Sequence, residues 1–374
     1  MAVRTEGTPA PPPTERDGPP HPGTAPATER RVPVLPLLLV LALALPLSVV
    51  CAVAIGASGI GWGRALSHLW AGLTGGTVPA DRVAEYTIVW ELRFARAVLA
   101  AVVGAGLAAI GVAVQAMVRN ALADPFVLGI SSGAAVGANA VMIFGAFAAL
   151  GVWALSTAAF VSALLAMALV YAIAGSAGGL TPVRLVLTGT ALSYGFTAIT
   201  TFMVFAAEHG EAARSAMMWL LGSLGGADWA AVPVAAGAVL AGLVHLGLSA
   251  RRLNALAMGD ETCAALGVDP DRLRRELFVV CAAVTGAVVA VSGAIGFVGL
   301  MVPHAVRMLV GADHRKVLLL APLTGAVLLV WVDVLSRVVL APAELPVGVL
   351  TAVIGVPCFV LLLRGRGYAF GGRA

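Results

Sequence analysis

Residues 102–133 read VVGAGLAAIGVAVQAMVRNALADPFVLGISSG, and this stretch contains the alternation that decides the fold. Residues 102–118 are apolar apart from Gln115, the segment RNALADP (119–125) is polar, and the chain then becomes apolar again. A bilayer core needs about 20 apolar residues per helix. Asp124 followed by Pro125 suits the start of a new helix, since Asp caps and Pro fits the first turn. The stretch therefore predicts one membrane helix, a polar turn and the start of a second.

The composition places the whole chain in the membrane class. Of its 374 residues 60% are hydrophobic and only 11% are charged, whereas soluble domains carry about 25% charged residues. The basic residues lie between apolar runs and not on one face, which argues against nucleic-acid binding. Four cysteines occur without CxxC spacing, so neither a metal site nor a disulfide framework is expected.

Ten apolar segments long enough to cross a bilayer follow one another, and they predict an all-α membrane protein. Residues 1–31 form a Pro-rich polar segment expected to be a disordered cytoplasmic tail, 32–366 the transmembrane domain, and 367–374 a short cytoplasmic C-terminal tail. The predicted spans are 33–56, 93–118, 128–147, 149–174, 182–206, 229–249, 277–294, 296–311, 317–339 and 346–364.

The basic residues predict the orientation of these spans. With ten helices and a cytoplasmic N-terminus, 17 of the 23 Lys and Arg residues fall on the cytoplasmic side. Positive charge is enriched on that side of membrane proteins, so we expect both termini in the cytoplasm of a cell whose cytoplasmic membrane holds the chain.

The two halves of the chain are weakly similar. VVGAGLAAIGVAV (102–114) resembles VTGAVVAVSGAIG (284–296), with Gly104 matching Gly286 and Gly111 matching Gly293. The match predicts that helices 2–5 and 7–10 form an inverted repeat, an arrangement common in transporters. The glycines themselves are expected to let helices approach closely, which in lipid provides the packing.

Polar residues near the 119–125 turn indicate a candidate pathway. Gln115, Asn120, Ser131 and Ser132 are expected at one depth, and polar groups facing a bundle interior often mark a route for substrate. Two other interpretations remain: an ordinary turn, and a hydrolase elbow, because GISSG (129–133) fits G-x-S-x-G. The elbow would need a strand before it and a histidine base beside it.

The longest polar connection is RRLNALAMGDETCAALGVDPDRLRRE (251–276). It is amphipathic and too polar to span a bilayer, and Gly259 and Gly267 predict breaks that would make a short helical hairpin. A solvated loop and a docking surface for a cytoplasmic partner are both compatible with it. On the opposite side, Arg93, Arg96 and Arg337 lie at helix mouths, where snorkelling, an Asp333–Arg337 pair at i,i+4 or an anionic partner would each explain them.

Four segments resemble one transporter family. Residues 92–138, MGDETCAALGVD (258–269), 293–319 and ELPVGVLTAVIGVPCFVLLL (344–363) are similar to the permease subunits of ATP-binding-cassette (ABC) importers for iron–siderophore complexes, haem and cobalamin. The resemblance covers roughly residues 60–366. One departure is that Phe94 and Ala95 replace the Leu-Pro usual between the two arginines.

The resemblance implies a type II importer permease that pairs with a second permease subunit, identical or homologous. It implies a dimer of cytoplasmic ABC ATPases, which would bind the ATP and magnesium, and an extracytoplasmic binding protein or lipoprotein. The ATPase-coupling loop would be formed by Met258, Gly259, Asp260, Glu261, Ala264, Leu266 and Gly267. Arg93, Arg96 and Arg337 would pair with glutamates of the binding protein.

The cytoplasmic gate would include Asn120, Leu122 and Thr181, together with Gln115, Ser131 and Ser132 in the pathway. No phosphate-binding GxxxxGK[ST] motif occurs, so this chain is expected to be a transport subunit that neither hydrolyses ATP nor binds a cofactor. The expected substrate is a ferric siderophore, with haem or cobalamin as alternatives. An ion-coupled secondary transporter is the rival class, and it would need ionisable groups buried mid-membrane.

Overall fold

The computed structural model describes residues 32–56, 59–176 and 180–364, with side chains described as far as residue 361. The predicted tails 1–31 and 367–374, and the last residues of the predicted 32–366 domain, lie outside the described residues. Every regular element in the described ranges is helical, which confirms the all-α prediction.

Fourteen α-helices occur in the described part of the chain. They are α1 Val34–Ala54, α2 Trp62–Thr74, α3 Val83–Tyr86, α4 Ala95–Met117, α5 Ile130–Phe144, α6 Ala154–Gly175, α7 Pro182–Phe205, α8 Gly210–Leu220, α9 Ala231–Ala257, α10 Asp260–Ala265, α11 Pro270–Ser292, α12 Val298–Val310, α13 His314–Val338 and α14 Val347–Arg364. Wider π-helical turns over Thr87–Phe94 join α3 to α4, and short 3-10 helices precede α5 and α6.

Each of the ten predicted spans coincides with one helix. Seven helical segments are long and apolar enough to cross a membrane, and the shorter apolar helices α5, α12 and α14 complete the ten. The short helices α2, α3 and α8 were not predicted, because their sequences are mixed in polarity and carry no membrane-length apolar run.

Three predicted boundaries were wrong. The predicted span 229–249 ends just before Arg251, and the predicted span 277–294 begins just after Arg275. In the structure α9 continues to Ala257 and α11 already begins at Pro270. Both helices continue because Arg252 donates to Glu276 across them at 2.8 Å and Leu253 is fully buried. The span predicted to begin at residue 93 belongs to a helical segment that is continuous from residue 80.

Helix α4 is the centre of the bundle, and it packs against α9, α11, α12 and α13. Glycines make these contacts possible. A Cβ at Gly104 would overlap the carbonyl of Gly325, and a Cβ at Gly111 would overlap the carbonyl of Gly299. The prediction that these glycines serve close helix packing is confirmed.

The packing also supports the predicted repeat. Helix α4, the first of the first half, packs against α12 and α13 of the second half, while α11, the first of the second half, packs against α5 and α6. Each half therefore inserts its first helix into the other half, and the two halves form one intertwined core.

Two segments that lack α-helix, 118–129 and 293–297, precede the short helices α5 and α12, and they meet inside the bundle. Pro125 lies against Gly299, where an added Cβ would come within 2.8 Å of the proline ring. The Asp124 carboxylate accepts the Phe126 amide at 2.8 Å and is also hydrogen-bonded by the Phe297 amide. Irregular backbone at membrane depth is stable only where protein covers it or a cavity adjoins it, so this meeting point is a natural place for a pathway.

Candidate functional site

The polar residues collect at the two ends of the bundle. The proximal end holds the segments 118–123, 258–269 and 311–313, and the distal end holds 55–56, 59–61, 206–230 and 339–346. We use these two terms throughout, and they imply no side of the membrane.

The predicted hairpin at 251–276 is present at the proximal end. Helix α10 stands between Gly259 and Gly267, which have φ values of 112° and 78°, and the predicted breaks at both glycines are confirmed. L residues rarely adopt such angles, which is why glycine is found there. Met258 and Leu266 are 69% and 62% exposed on the outside of the turn. They form an apolar knob that is left uncovered by the residues that the structure describes.

Buried contacts hold this hairpin to the bundle. Cys263 on the inner side of α10 is fully buried, while Glu261 and Ala264 point outward. Arg274 of α11, which is itself buried, donates two hydrogen bonds to Asp260, at 2.5 and 3.1 Å. The hydrogen bond from Arg274 holds the pKa of Asp260 below its usual range. The exposed knob therefore sits on a fixed base.

The 119–123 turn lies beside the hairpin. Arg119 adopts a φ of 52°, and its Nη1 atom lies 3.4 Å from where a Cβ on Gly259 would stand. Asn120 is exposed, and its Oδ1 accepts the amide of Leu122 at 2.9 Å, which closes the turn. The approach of Arg119 to Gly259 thus places the turn that contains the predicted gate residues Asn120 and Leu122 beside the predicted coupling loop.

The four polar residues expected at one depth do not share one surface. Gln115 is buried and donates to the carbonyls of Gly299 and Leu300 at 3.3 and 3.1 Å, so it holds the first turn of α12. Ser131 and Ser132 lie instead on a groove between α5 and α7. That the four residues lie at one depth stays a prediction. Gln115 and the two serines face different surfaces because the irregular 118–129 segment lies between α4 and α5.

Six hydroxyl-bearing residues line the groove between α5 and α7, although most of its surface is apolar. Its volume is about 260 Å³, and its hydroxyl-bearing residues are Ser131, Ser132, Ser193, Thr197, Thr200 and Thr201. A second groove of about 460 Å³ shares Phe126 and Ser193 with it and includes Asp124. The two grooves form a strip in which hydroxyl groups are spaced along a mostly apolar surface, and neither lysine nor arginine is among the lining residues.

Sequence reasoning missed the contribution of α7 to this strip. Thr190, Ser193 or Tyr194, Thr197 and Thr201 recur every three or four residues, which is a helical period that could have been found. Thr181, predicted to belong to the gate, is exposed and caps α7 by accepting the Arg184 amide at 3.4 Å.

Arg93, Arg96 and Arg337 come together at the distal end, but they are not the exposed rim that the sequence suggested. Their exposed fractions are 6%, 8% and 8%. Arg337 donates to the carbonyls of Ala52 and Ile55 and Arg93 to that of Val53, so both hydrogen-bond the last carbonyls of α1. Cations stabilise helix C-termini because they satisfy orphan carbonyls and offset the helix dipole.

Two carboxylates complete this distal cluster. Asp333 is fully buried between Arg96 Nε at 2.7 Å and Arg337 Nε at 3.1 Å, and the expected Asp333–Arg337 pair is confirmed. Glu344, whose side chain is 46% exposed, accepts Arg96 Nη1 at 2.8 Å. A lone aspartate in an apolar helix was the signal for such a partner, but only the fold reveals that Arg96 shares it.

Metal-ligating side chains do not converge in the part of the chain that the structure describes, where groups of three or more His, Cys, Asp or Glu residues suited to a metal ion were not found.

The structure is a bundle of ten apolar helices in which the segments 118–129 and 293–297 interrupt the helices and meet beside a groove with hydroxyl groups. These features are typical of an integral membrane transport protein, and comparisons with known proteins identify its class. The model of the FecCD transport family matches residues 41–365. The chain belongs to this family of ABC importer permeases.

Named relatives carry several different cargoes. The cobalamin import system permease BtuC of Halobacterium salinarum is 45% identical over 75% of this chain and 74% of its own. The hemin transport system permease HmuU of Yersinia pestis is 41% identical over 74% of this chain and 84% of its own. The iron(3+)-hydroxamate import permease FhuB of Bacillus subtilis is 38% identical over 75% and 72%.

The fold agrees with a solved relative. A structure described as an inward-facing conformation of a metal-chelate type ABC transporter superimposes with a TM-score of 0.77 at 30% identity, over 88% of this chain and 99% of its own.

Proposed function

We propose that this chain passes a ferric siderophore across the cytoplasmic membrane, driven by a separate dimer of ABC ATPases. The observation that carries the proposal is the hydroxyl-lined strip between α5 and α7. A siderophore wraps its iron in its own oxygen ligands, so the complex presents a polar surface with hydrogen-bonding groups and needs no metal ligand from the protein. Ser193, Thr200 and Thr201 donate to carbonyls of their own helix, so their oxygens remain as acceptors for hydrogen-bond donors on the chelate.

A second permease subunit completes the pathway in this proposal. Helix α7 is the least buried of the seven long spans and also the least apolar. Tyr194 is 75% exposed, and Thr197 and Thr201 are exposed below it. A hydroxyl-rich face is a poor surface for lipid, because polar groups in hydrocarbon lose their hydrogen bonds to water. The face therefore suits a lumen shared with another permease, identical or homologous.

The proximal end faces the cytosol in this proposal, with both termini on the same side, and the hairpin at 258–267 couples the ATPases to the bundle. The knob of Met258 and Leu266 would enter a cleft of the ATPase, and the Asp260–Arg274 pair would carry the movement into α11. The neighbouring turn with Asn120 would then open or close the pathway.

At the distal end, an extracytoplasmic binding protein or lipoprotein would dock over the arginine cluster. Burial changes what this docking requires. Arg96 already binds Glu344 and Asp333, so a partner carboxylate would reach it by displacing the half-exposed Glu344. Arg93 and Arg337 would act mainly by fixing the end of α1.

Cobalamin is the second candidate cargo, because the relative named for cobalamin is 45% identical. Haem is the third candidate, because the relative named for hemin transport is 41% identical. A proton- or ion-coupled transporter is disfavoured, because the buried Asp333 is already held between two arginines.

Uptake in whole cells tests the proposal. Cells from which the permease gene is deleted, complemented with wild type, Leu266→Asp or the conservative control Leu266→Met, are supplied with radiolabelled ferric siderophores or cobalamin. We expect deletion to abolish ferric siderophore uptake and spare cobalamin uptake. Leu266→Met should restore transport, and Leu266→Asp should insert normally in the membrane but fail to transport.

Loss of cobalamin uptake with intact iron uptake would overturn the proposed cargo. Full transport by Leu266→Asp would overturn the proposed coupling role of the knob, whatever the cargo.

A further inference from the structure

Helix α2 (Trp62–Thr74) has a surface that neither the proposed pathway nor the two docking sites use. The helix follows α1 at the distal end and has 13 residues, too few to cross a bilayer. Its side chains divide into three sectors around the helix axis.

The first sector packs against the protein. Ala65, His68 and Leu69 are buried, and Ala65 and Leu69 belong to a small apolar cluster with Val53 and Ala54 at the end of α1. Gly72, on the same side, leaves no room for a Cβ against the Trp90 ring. Helix α2 is thus fixed on the last turn of α1.

The second sector is apolar and open. Trp62, Leu66, Trp70 and Leu73 follow one another at intervals of three or four residues, which places them within a single stripe. Their exposed fractions are 54%, 44%, 68% and 59%. Four large apolar side chains in a row on one helix are a surface that water solvates poorly.

The third sector is polar and also open. Ser67 and Thr74 are exposed, and Arg64 donates to Glu85 at 2.6 Å while remaining half-exposed. Helix α2 therefore offers protein contacts, an apolar stripe and a polar stripe in turn. This pattern is the one expected of a helix lying parallel to a membrane surface, between lipid and water.

The depth of α2 in the membrane follows from α1. With 21 residues α1 is about 31 Å long at 1.5 Å per residue, which matches a hydrocarbon core of about 30 Å. Leu39, Leu43 and Leu47 are exposed along it and face lipid. Its last turn, with Val53 and Ala54, therefore lies at the boundary of the hydrocarbon, and α2 packs against that turn.

We propose that α2 is an interfacial anchor whose apolar stripe binds the boundary between lipid headgroups and acyl chains. Tryptophan is enriched at this depth because its ring is amphipathic, and α2 presents two of them. A soluble partner could reach the stripe only by entering the bilayer, so lipid is the occupant that the position favours. The proposal does not depend on which cargo the permease carries.

Tryptophan fluorescence of the full-length permease in liposomes tests the anchor. The difference in emission between wild type and Trp62→Phe/Trp70→Phe isolates the two stripe tryptophans from the other five. In lipids brominated near the glycerol end of the acyl chains we expect this difference signal to lose about half its intensity or more, and in lipids brominated near the chain ends to lose less. Aqueous iodide should have little effect.

Neighbouring labels provide a second measurement that is independent of tryptophan. Nitroxides at Leu66→Cys and Ser67→Cys, in a chain whose four native cysteines are replaced by alanine, sample the apolar and polar sectors one residue apart. Leu66→Cys should be relaxed by oxygen more than by a water-soluble nickel chelate, and Ser67→Cys the reverse.

Iodide quenching without bromine quenching, or equal nickel access at both labels, would put the stripe in water and overturn the proposal. Protection of both tryptophans from bromine and iodide would also overturn it, because it would mean that protein covers the stripe.

Discussion

Removing one negative charge from the distal cluster should destabilise the permease more than any exchange of an exposed charge. Asp333→Asn keeps the size of the side chain but leaves Arg96 and Arg337, both buried, with Glu344 as the remaining carboxylate. A charge pair about 4 Å apart is worth about 4 kcal/mol at an effective dielectric constant of 20. Breaking a buried pair by removing one partner costs about 3–5 kcal/mol in measured cases, and this range is our expectation.

The measurement is the free energy of unfolding of the purified permease in mixed micelles of dodecylmaltoside and SDS, followed by helical circular dichroism. Asp81→Asn is the matched control, because the side chains of Asp81 and its partner Arg82 are both largely exposed. Exposed pairs are worth about 0–1 kcal/mol. If Asp333→Asn cost no more than Asp81→Asn, the reasoning that the distal cluster stabilises the fold through buried charge would be refuted.

Two further predictions concern the hairpin and the core. Because the Arg274 hydrogen bond lowers the pKa of Asp260, the pair should persist as pH falls and break only below about pH 4. The amides of residues 259–268 should therefore be protected from hydrogen exchange from neutral pH down to that point in wild type, and unprotected at every pH in Asp260→Asn. Loss of protection in wild type at a higher pH would contradict this prediction. Gly104→Ala should lower the free energy of unfolding by about 1–3 kcal/mol or more, since the added Cβ has no space beside Gly325. Gly237→Ala, on the open face of α9, should leave the free energy of unfolding unchanged or raise it by up to about 1 kcal/mol. Equal effects of the two substitutions would argue against the close contact at Gly104.

The spans could be predicted from sequence because hydropathy reports a local property. In lipid each segment must pair its own backbone N–H and C=O groups, so a long apolar run is by itself enough to predict a helix. The same locality explains the wrong boundaries. Arg251 and Arg252 end the apolar run, yet α9 continues because Arg252 finds Glu276 on a neighbouring helix. The apolar sequence of α9 contains no signal for the contact between Arg252 and Glu276.

The candidate site shows the same division. The breaks at Gly259 and Gly267 could be anticipated, because glycine marks chain reversal within an amphipathic stretch. The burial of Arg96 could not, because its partners Asp333 and Glu344 lie far along the chain and meet it only when α13 packs against α4. The position of Gln115 was equally hidden, since it depends on where the second half inserts α12.

The exchange of first helices between the halves has a consequence for biosynthesis. Helix α4 leaves the ribosome early, but the glycine face that it needs to cover waits for α13, where Gly325 meets Gly104. At roughly 5–20 residues per second, that interval is on the order of ten to forty seconds. During this interval the glycine face of α4 is unpacked in the bilayer, where membrane chaperones, proteases or other membrane proteins can bind it. The chain is therefore most exposed to degradation while its second half is still being synthesised. A stop codon in the second half should consequently lead to degradation of the whole truncated protein, including the helices already made.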